Sequence, residues 1–116
     1  MKMDTKAKTI IGLVEKIYII TQNNEKVVNA KIDTGATKSS IDKGLAEELG
    51  LGPIIKSKVV KSAHGNKVRP IIEVRLKLAN RTMKSEFTIA DRIHLKYPVL
   101  IGQNILKHGF LIDPNK

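Results

Sequence analysis

From Ile32 to Leu51 the chain reads IDTGATKSSIDKGLAEELGL. The stretch Ala30-Lys31-Ile32 ends an apolar β-run, and Asp33-Thr34-Gly35-Ala36 follows it: a carboxylate, a small hydroxyl residue, a glycine and an alanine. By itself Asp-Thr-Gly is compatible with an ordinary turn opened by an aspartate. Its surroundings narrow the choice. Asp42 is placed to cap a short helix over Lys43 to Leu49, which carries Leu45, Ala46 and Leu49 on one face and stops at Gly50. A strand, a carboxylate-bearing loop and a capped helix therefore succeed one another within twenty residues.

Working outward, Leu13 to Thr21 and Lys26 to Ile32 are rich in Val and Ile and flank Gln22-Asn23-Asn24-Glu25, which predicts a hairpin. From Val68 onward Pro70, Ile72, Val74, Leu76 and Leu78 alternate with Arg69, Ile71, Glu73, Arg75 and Lys77, the period of a half-buried strand. A second strand carrying Met83, Phe87 and Ile89 is expected to pair with it across Ala79-Asn80-Arg81. A second short helix is predicted over Gln103 to Lys107, after Gly102. Many short strands with one or two short helices predict a mostly β fold, a small closed β-barrel. A flexible N-terminus is expected over residues 1–9, and a single domain over 10–116.

Composition bounds the chemistry. The 116 residues contain 41% hydrophobic side chains, enough for one core, and no cysteine, which excludes disulfides and thiol catalysis. The apolar run Ile10 to Val14 breaks at Glu15, too short for a membrane span, so a cytoplasmic protein without a membrane partner is expected. Twenty-one Lys and Arg against 11 Asp and Glu leave a net charge of +10, which attracts polyanions. Aromatic residues make up only 3%, too few for stacking platforms, and this argues against nucleic acid as the main partner.

The stretch Ile32 to Leu51 closely resembles the active-site segment of retropepsin-like aspartic peptidases. Pro98-Val99-Leu100-Ile101-Gly102-Gln103-Asn104-Ile105-Leu106 resembles the same family's apolar-apolar-glycine segment, which packs behind the catalytic loop. Asp91-Arg92, Lys96-Tyr97-Pro98 and the ending Gly109-Phe110-Leu111-Ile112-Asp113-Pro114 are similar to a bacterial and archaeal branch labelled ATP-dependent zinc protease. The resemblance implies a barrel of the retropepsin (acid protease) type and an aspartic peptidase. Its catalytic residues would be Asp33, Thr34 and Gly35, with Ala36 beside the substrate and Ile101 and Gly102 supporting the loop. Because the chain holds one Asp-Thr-Gly, a second Asp33 must come from a two-fold related subunit, so a homodimer is implied. The flap over the substrate would be the hairpin Val59 to Val68, turning at His64-Gly65-Asn66.

Three features set this chain apart. Retroviral members pair an acid after Asp-Thr-Gly-Ala with an arginine after the later glycine; here Thr37 and Gln103 stand at those positions, which implies a weaker dimer of unchanged geometry. The zinc and ATP parts of the branch label find no counterpart. His64, His94 and His108 are widely spaced with no His-Glu-x-x-His, and no phosphate-binding loop exists, so no metal and no cofactor are expected. No acidic residue occurs between Glu48 and Glu73, while Lys56, Lys58, Lys61, Lys67 and Arg69 fall in that interval and Lys31 and Lys38 flank the Asp33 loop. An acidic peptide substrate is the corresponding expectation. The alternatives are a catalytically silent domain of the same fold that binds peptides or dimerises, and a basic nucleic-acid-binding barrel.

Overall fold

The computed structural model describes residues 7–116. Nine strands and two short helices follow in the order β1 (Thr9–Ile11), β2 (Val14–Ile20), β3 (Glu25–Ile32), β4 (Ser39–Asp42), α1 (Lys43–Glu48), β5 (Ile54–Ser62), β6 (Gly65–Leu78), β7 (Arg81–Ala90), β8 (Val99–Ile101), α2 (Gln103–Leu106) and β9 (Phe110–Ile112). Neighbours run β2-β3-β8-β4-β7-β6, and β2 also pairs with β6, so these six strands close on themselves. Closure removes the exposed edges that an open sheet would present. β5 lies outside the ring as a seventh strand on β6, and β1 pairs with β9 in a separate parallel ladder.

Alternation along the strands fills the barrel. Ile17 and Ile19 of β2, Ala30 and Ile32 of β3, Val99 and Ile101 of β8, and Ile72, Val74, Leu76 and Leu78 of β6 all point into one core with Phe87 and Ile41. Most of them are β-branched, as a pleated surface favours. The predicted hairpin of β2 and β3 closes where Thr21 N–H and Oγ1 both donate to the Asn24 carbonyl, at 2.8 and 3.0 Å. Between β6 and β7 the two connecting residues Ala79 and Asn80 sit at φ 49° and 69°, the left-handed pair of a tight hairpin.

The N-terminal expectation over 1–9 falls mainly on residues 1–6, which lie outside the described residues, while Thr9 opens β1 opposite Phe110. The hairpin turn expected at His64-Gly65-Asn66 is displaced by one residue. Ser62 pairs with Gly65 and Lys61 with Asn66, so the connection is Ala63-His64 and Asn66 already belongs to the ladder. Gly65, at φ 109°, supplies the backbone conformation that returns the chain to the strand. Among the described residues no helix is long and apolar enough to cross a membrane.

Candidate active site

β3 delivers Asp33 at the point where the ladder gives way to a loop. Ile32 is the register partner of Ile101, and the Asp33 N–H donates to the Ile101 carbonyl at 2.9 Å, so the first loop residue is still tied to β8. The loop then folds on its own carboxylate. Gly35 N–H donates to Asp33 Oδ1 at 2.9 Å and Ala36 N–H to the Asp33 carbonyl at 3.3 Å. Asp33 and Ala36 are half-buried, and Thr34 and Gly35 are exposed. One carboxylate oxygen is thus held by backbone while the loop's outer side stays exposed.

The loop is clamped from behind by the start of α2. A helix leaves its first N–H groups without intrahelical partners, and here loop carbonyls take them: Gln103 N–H donates to Ala36 O at 2.7 Å and Asn104 N–H to Thr37 O at 3.1 Å. Gln103 adds its side chain, Nε2 donating to Thr34 O at 2.7 Å. Gly102 makes this approach possible. A Cβ there would lie 2.8 Å from Ala36 O, 2.7 Å from the carbonyl carbon of Lys38 and closer still to Lys38 O. Asp33, Thr34, Gly35, Ala36, Ile101 and Gly102 are therefore brought together as one unit, whereas His64 lies in the turn of the β5–β6 hairpin and Gly65 and Asn66 open β6.

A polar network under the loop was not foreseen from the sequence. Ser39, fully buried, donates from Oγ to Asn104 Oδ1 at 2.7 Å and accepts Gly102 N–H at 2.9 Å. Asn104 Nδ2 donates onward to Ser85 Oγ at 3.2 Å and Glu86 O at 2.9 Å, and Thr88 Oγ1 donates to Ser39 O at 3.3 Å. Burial without partners would cost each of these groups about 1–3 kcal/mol. The one sequence signal was a pair of serines at the start of an apolar strand, Ser39-Ser40.

Arg92, part of the Asp91-Arg92 pair in the family resemblance, had no role assigned from the sequence. Its N–H donates to Asp42 Oδ1 at 2.8 Å, Nε to Tyr97 O at 3.1 Å and Nη1 to Ser40 Oγ at 3.4 Å. Burial lowers the guanidinium's pKa, Asp42 opposes that shift, Arg69 adds to it and Asp33 opposes it. The side chain thus feels the Asp33 carboxylate and a second arginine at once. Among the described residues no three His, Asp or Glu side chains come together as a metal site.

A closed six-stranded barrel with an Asp-Thr-Gly loop backed by an apolar strand, glycine and short helix defines the class: retropepsin-like proteins. Residues 46–116 match the family model RimB-like, described as retropepsin-like aspartic endopeptidase RimB. The chain belongs to this family. The matched residues start after the Asp33 loop, so that loop's assignment rests on its own geometry and sequence. The fold is similar to that of Lpg0085, a protein of unknown function from Legionella pneumophila, at TM-score 0.66 and 24% identity over 93% of this chain and 95% of that one. It is also similar to simian foamy virus protease, at TM-score 0.62 and 18% identity over 81% of this chain and 91% of that one. EIAV protease in complex with the inhibitor HBY-793 gives TM-score 0.63 and 19% identity over 92% of each chain. No curated protein matches the chain in sequence.

Proposed function

We propose that the chain is an aspartic peptidase that works as a homodimer, each subunit contributing Asp33. The observation that carries this assignment is the held, half-buried carboxylate of Asp33 on a loop fixed from behind by β8 and α2. Two such loops facing each other across a two-fold axis would set two carboxylates side by side, and like charges that close hold one proton between them. The unprotonated Asp33 takes a proton from water as its oxygen attacks the scissile carbonyl carbon, and the protonated partner gives its proton to the carbonyl oxygen. Collapse of the tetrahedral diol then breaks the C–N bond, with a proton passed to the leaving nitrogen. Thr34 would supply the hydroxyl that links the loops across the axis, and Gly35 and Ala36 would border the peptide. The β5–β6 hairpin, which turns at Ala63-His64 with Gly65 and Asn66 opening β6, would cover it.

An acidic peptide substrate has support in the hairpin's charge arrangement. Lys58 and Arg69 are direct cross-strand partners, a like-charge pair that a sheet disfavours. Lys67 lies on the same face of β6 as Arg69, opposite Val60. Lys56 is taken by Glu86 at 3.3 Å, so the excess charge rests on the other cations. Doubled around one cleft, they would focus a positive potential on the substrate path.

The test is cleavage of mixed peptides by the wild-type chain beside Asp33→Asn. The amide preserves shape and removes the base, so a folded variant without hydrolysis is expected. Hydrolysis by Asp33→Asn within a few-fold of wild type would sink the mechanism. A wild type that binds peptide and never cleaves it would instead favour the silent peptide-binding domain.

A further inference from the structure

Gln103 holds the Asp33 loop with two different groups. Its backbone N–H donates to Ala36 O at 2.7 Å and its side-chain Nε2 to Thr34 O at 2.7 Å, so the carbonyls on either side of Gly35 are both taken by one residue. The Thr34 oxygen carries no proton, so the amide must turn its NH2 group toward it. This is the one hydrogen bond the Gln103 side chain makes among the described residues, and Gln103 itself is exposed. An exposed bond of this kind adds little to stability, because fixing glutamine's rotamers costs about as much as the bond returns. Its effect lies in what the Thr34 carbonyl is joined to.

Thr34 C=O and Gly35 N–H belong to the same peptide unit, and among the described residues the only cis bond is Gly52-Pro53. In a planar trans unit the two groups point in opposite directions. Gln103 Nε2 therefore fixes one end of a plate whose other end, Gly35 N–H, donates to Asp33 Oδ1 at 2.9 Å. Turning the plate would break both bonds together. Glycine accepts backbone conformations closed to other residues, so the exposed Gly35 does not itself prevent that turn. Donation into the Thr34 carbonyl also polarises the peptide and strengthens its N–H as a donor.

We propose that Gln103 is a positioning residue: its side-chain amide, acting through the Thr34–Gly35 peptide, holds Asp33 Oδ1 and so leaves Oδ2 as the oxygen that meets water and the partner carboxylate. The assignment rests on Asp33 as the water-activating residue. A donor at this place is what the geometry requires. Glutamate has glutamine's shape, but ionised it only accepts, and its carboxylate would repel the Thr34 oxygen. Arginine keeps a donor, on a longer stem that an exposed position accommodates.

The experiment follows full-length chains carrying Gln103→Ala, Gln103→Glu and Gln103→Arg by two readouts. The first is kcat and KM on a cleavable peptide, at subunit concentrations high enough that activity per subunit no longer changes. Loss of the donor should lower kcat about tenfold or more with KM within about threefold, the pattern of an interaction that serves the transition state, since small misplacements near a reacting group cost up to about a hundredfold. Gln103→Arg should recover most of the rate. The second readout needs no turnover: the Gly35 amide proton in the NMR spectrum of isotope-labelled protein should move upfield in Gln103→Ala and Gln103→Glu, as its bond to Asp33 weakens, and return toward its original position in Gln103→Arg. Melting midpoints should stay within a few degrees of wild type in all three. A kcat unchanged in Gln103→Ala and Gln103→Glu, a raised KM at constant kcat, or an unmoved Gly35 signal overturns the positioning role while leaving Asp33 as base intact. Loss of folding in both variants overturns it too, since the residue would then be structural only. A Gly35 signal that follows the donor, in a chain that never hydrolyses peptide, keeps the link from Gln103 to Asp33 and overturns the peptidase.

Discussion

Replacing Gly102 by alanine should be among the most damaging single changes available to this chain. The added Cβ would meet Ala36 O at 2.8 Å and the Lys38 carbonyl carbon at 2.7 Å, with Lys38 O nearer still. All three are backbone atoms of the Asp33 loop, so no side-chain rotation relieves the contact. The loop must move away from α2 instead. Overpacking typically costs about 1–3 kcal/mol, and an obstacle made of backbone places this case near 3 kcal/mol. Displacement would also loosen the buried bond from Gly102 N–H to Ser39 Oγ, now 2.9 Å, in the same direction. For 116 residues the entropy of unfolding is about 0.24 kcal/mol/K at the midpoint, so ~3 kcal/mol lowers Tm by about 12 °C. Differential scanning calorimetry at fixed subunit concentration measures it, with peptide hydrolysis assayed well below the new midpoint. Because Gly102 N–H and its neighbours position the loop, activity should fall even where the protein remains folded. A midpoint within about 2 °C of wild type, with activity kept, would refute the claim that the loop is seated on this glycine.

Ser39→Ala should cost about 2–4 kcal/mol, since Gly102 N–H and Asn104 Oδ1 both lose a buried partner; chemical denaturation measures it, and a loss below ~1 kcal/mol would mean water replaces the hydroxyl. Activity per subunit should decline on dilution if each active site needs two chains, and sedimentation run beside the assay would contradict this by finding a fully active monomer. For acidic peptides kcat/KM should fall as salt is raised, because the Debye length is only about 8 Å at physiological ionic strength, whereas neutral peptides should respond little. Equal salt responses would leave the lysines as a solvated surface only.

Much of the barrel could be read from local pattern. The alternation of Ile72, Val74, Leu76 and Leu78, the Asp42 cap and the glycine stop at Gly50 are properties of neighbours in the chain, set by the two-residue period of a strand and the unpaired groups at helix ends. The Asp33 loop and the Ile101-Gly102 segment were legible through their resemblance to a known family, and at Gly102 the residue type is also dictated by close backbone approach, which leaves few substitutes. The hairpin tip came out one residue early because ladder register depends on pairing along the whole hairpin, and the turn residues alone do not set it.

Tertiary structure decided what distant residues become when they meet. Ser39 reads as an ordinary polar residue until Asn104, 65 positions away, and Gly102, 63 positions away, are folded onto it. Arg92 reads as half of a family-like Asp91-Arg92 pair without a role of its own until burial and the contacts with Asp42, Ser40 and Tyr97 fix its guanidinium within the field of Asp33. Sequence determined the strand period, the caps and the presence of a carboxylate at a strand's end, because those follow from contacts among near neighbours. Barrel closure alone selected which far-apart polar groups share a low-dielectric interior, and there the cost of an unpartnered donor or charge gives an unremarkable side chain its specific place.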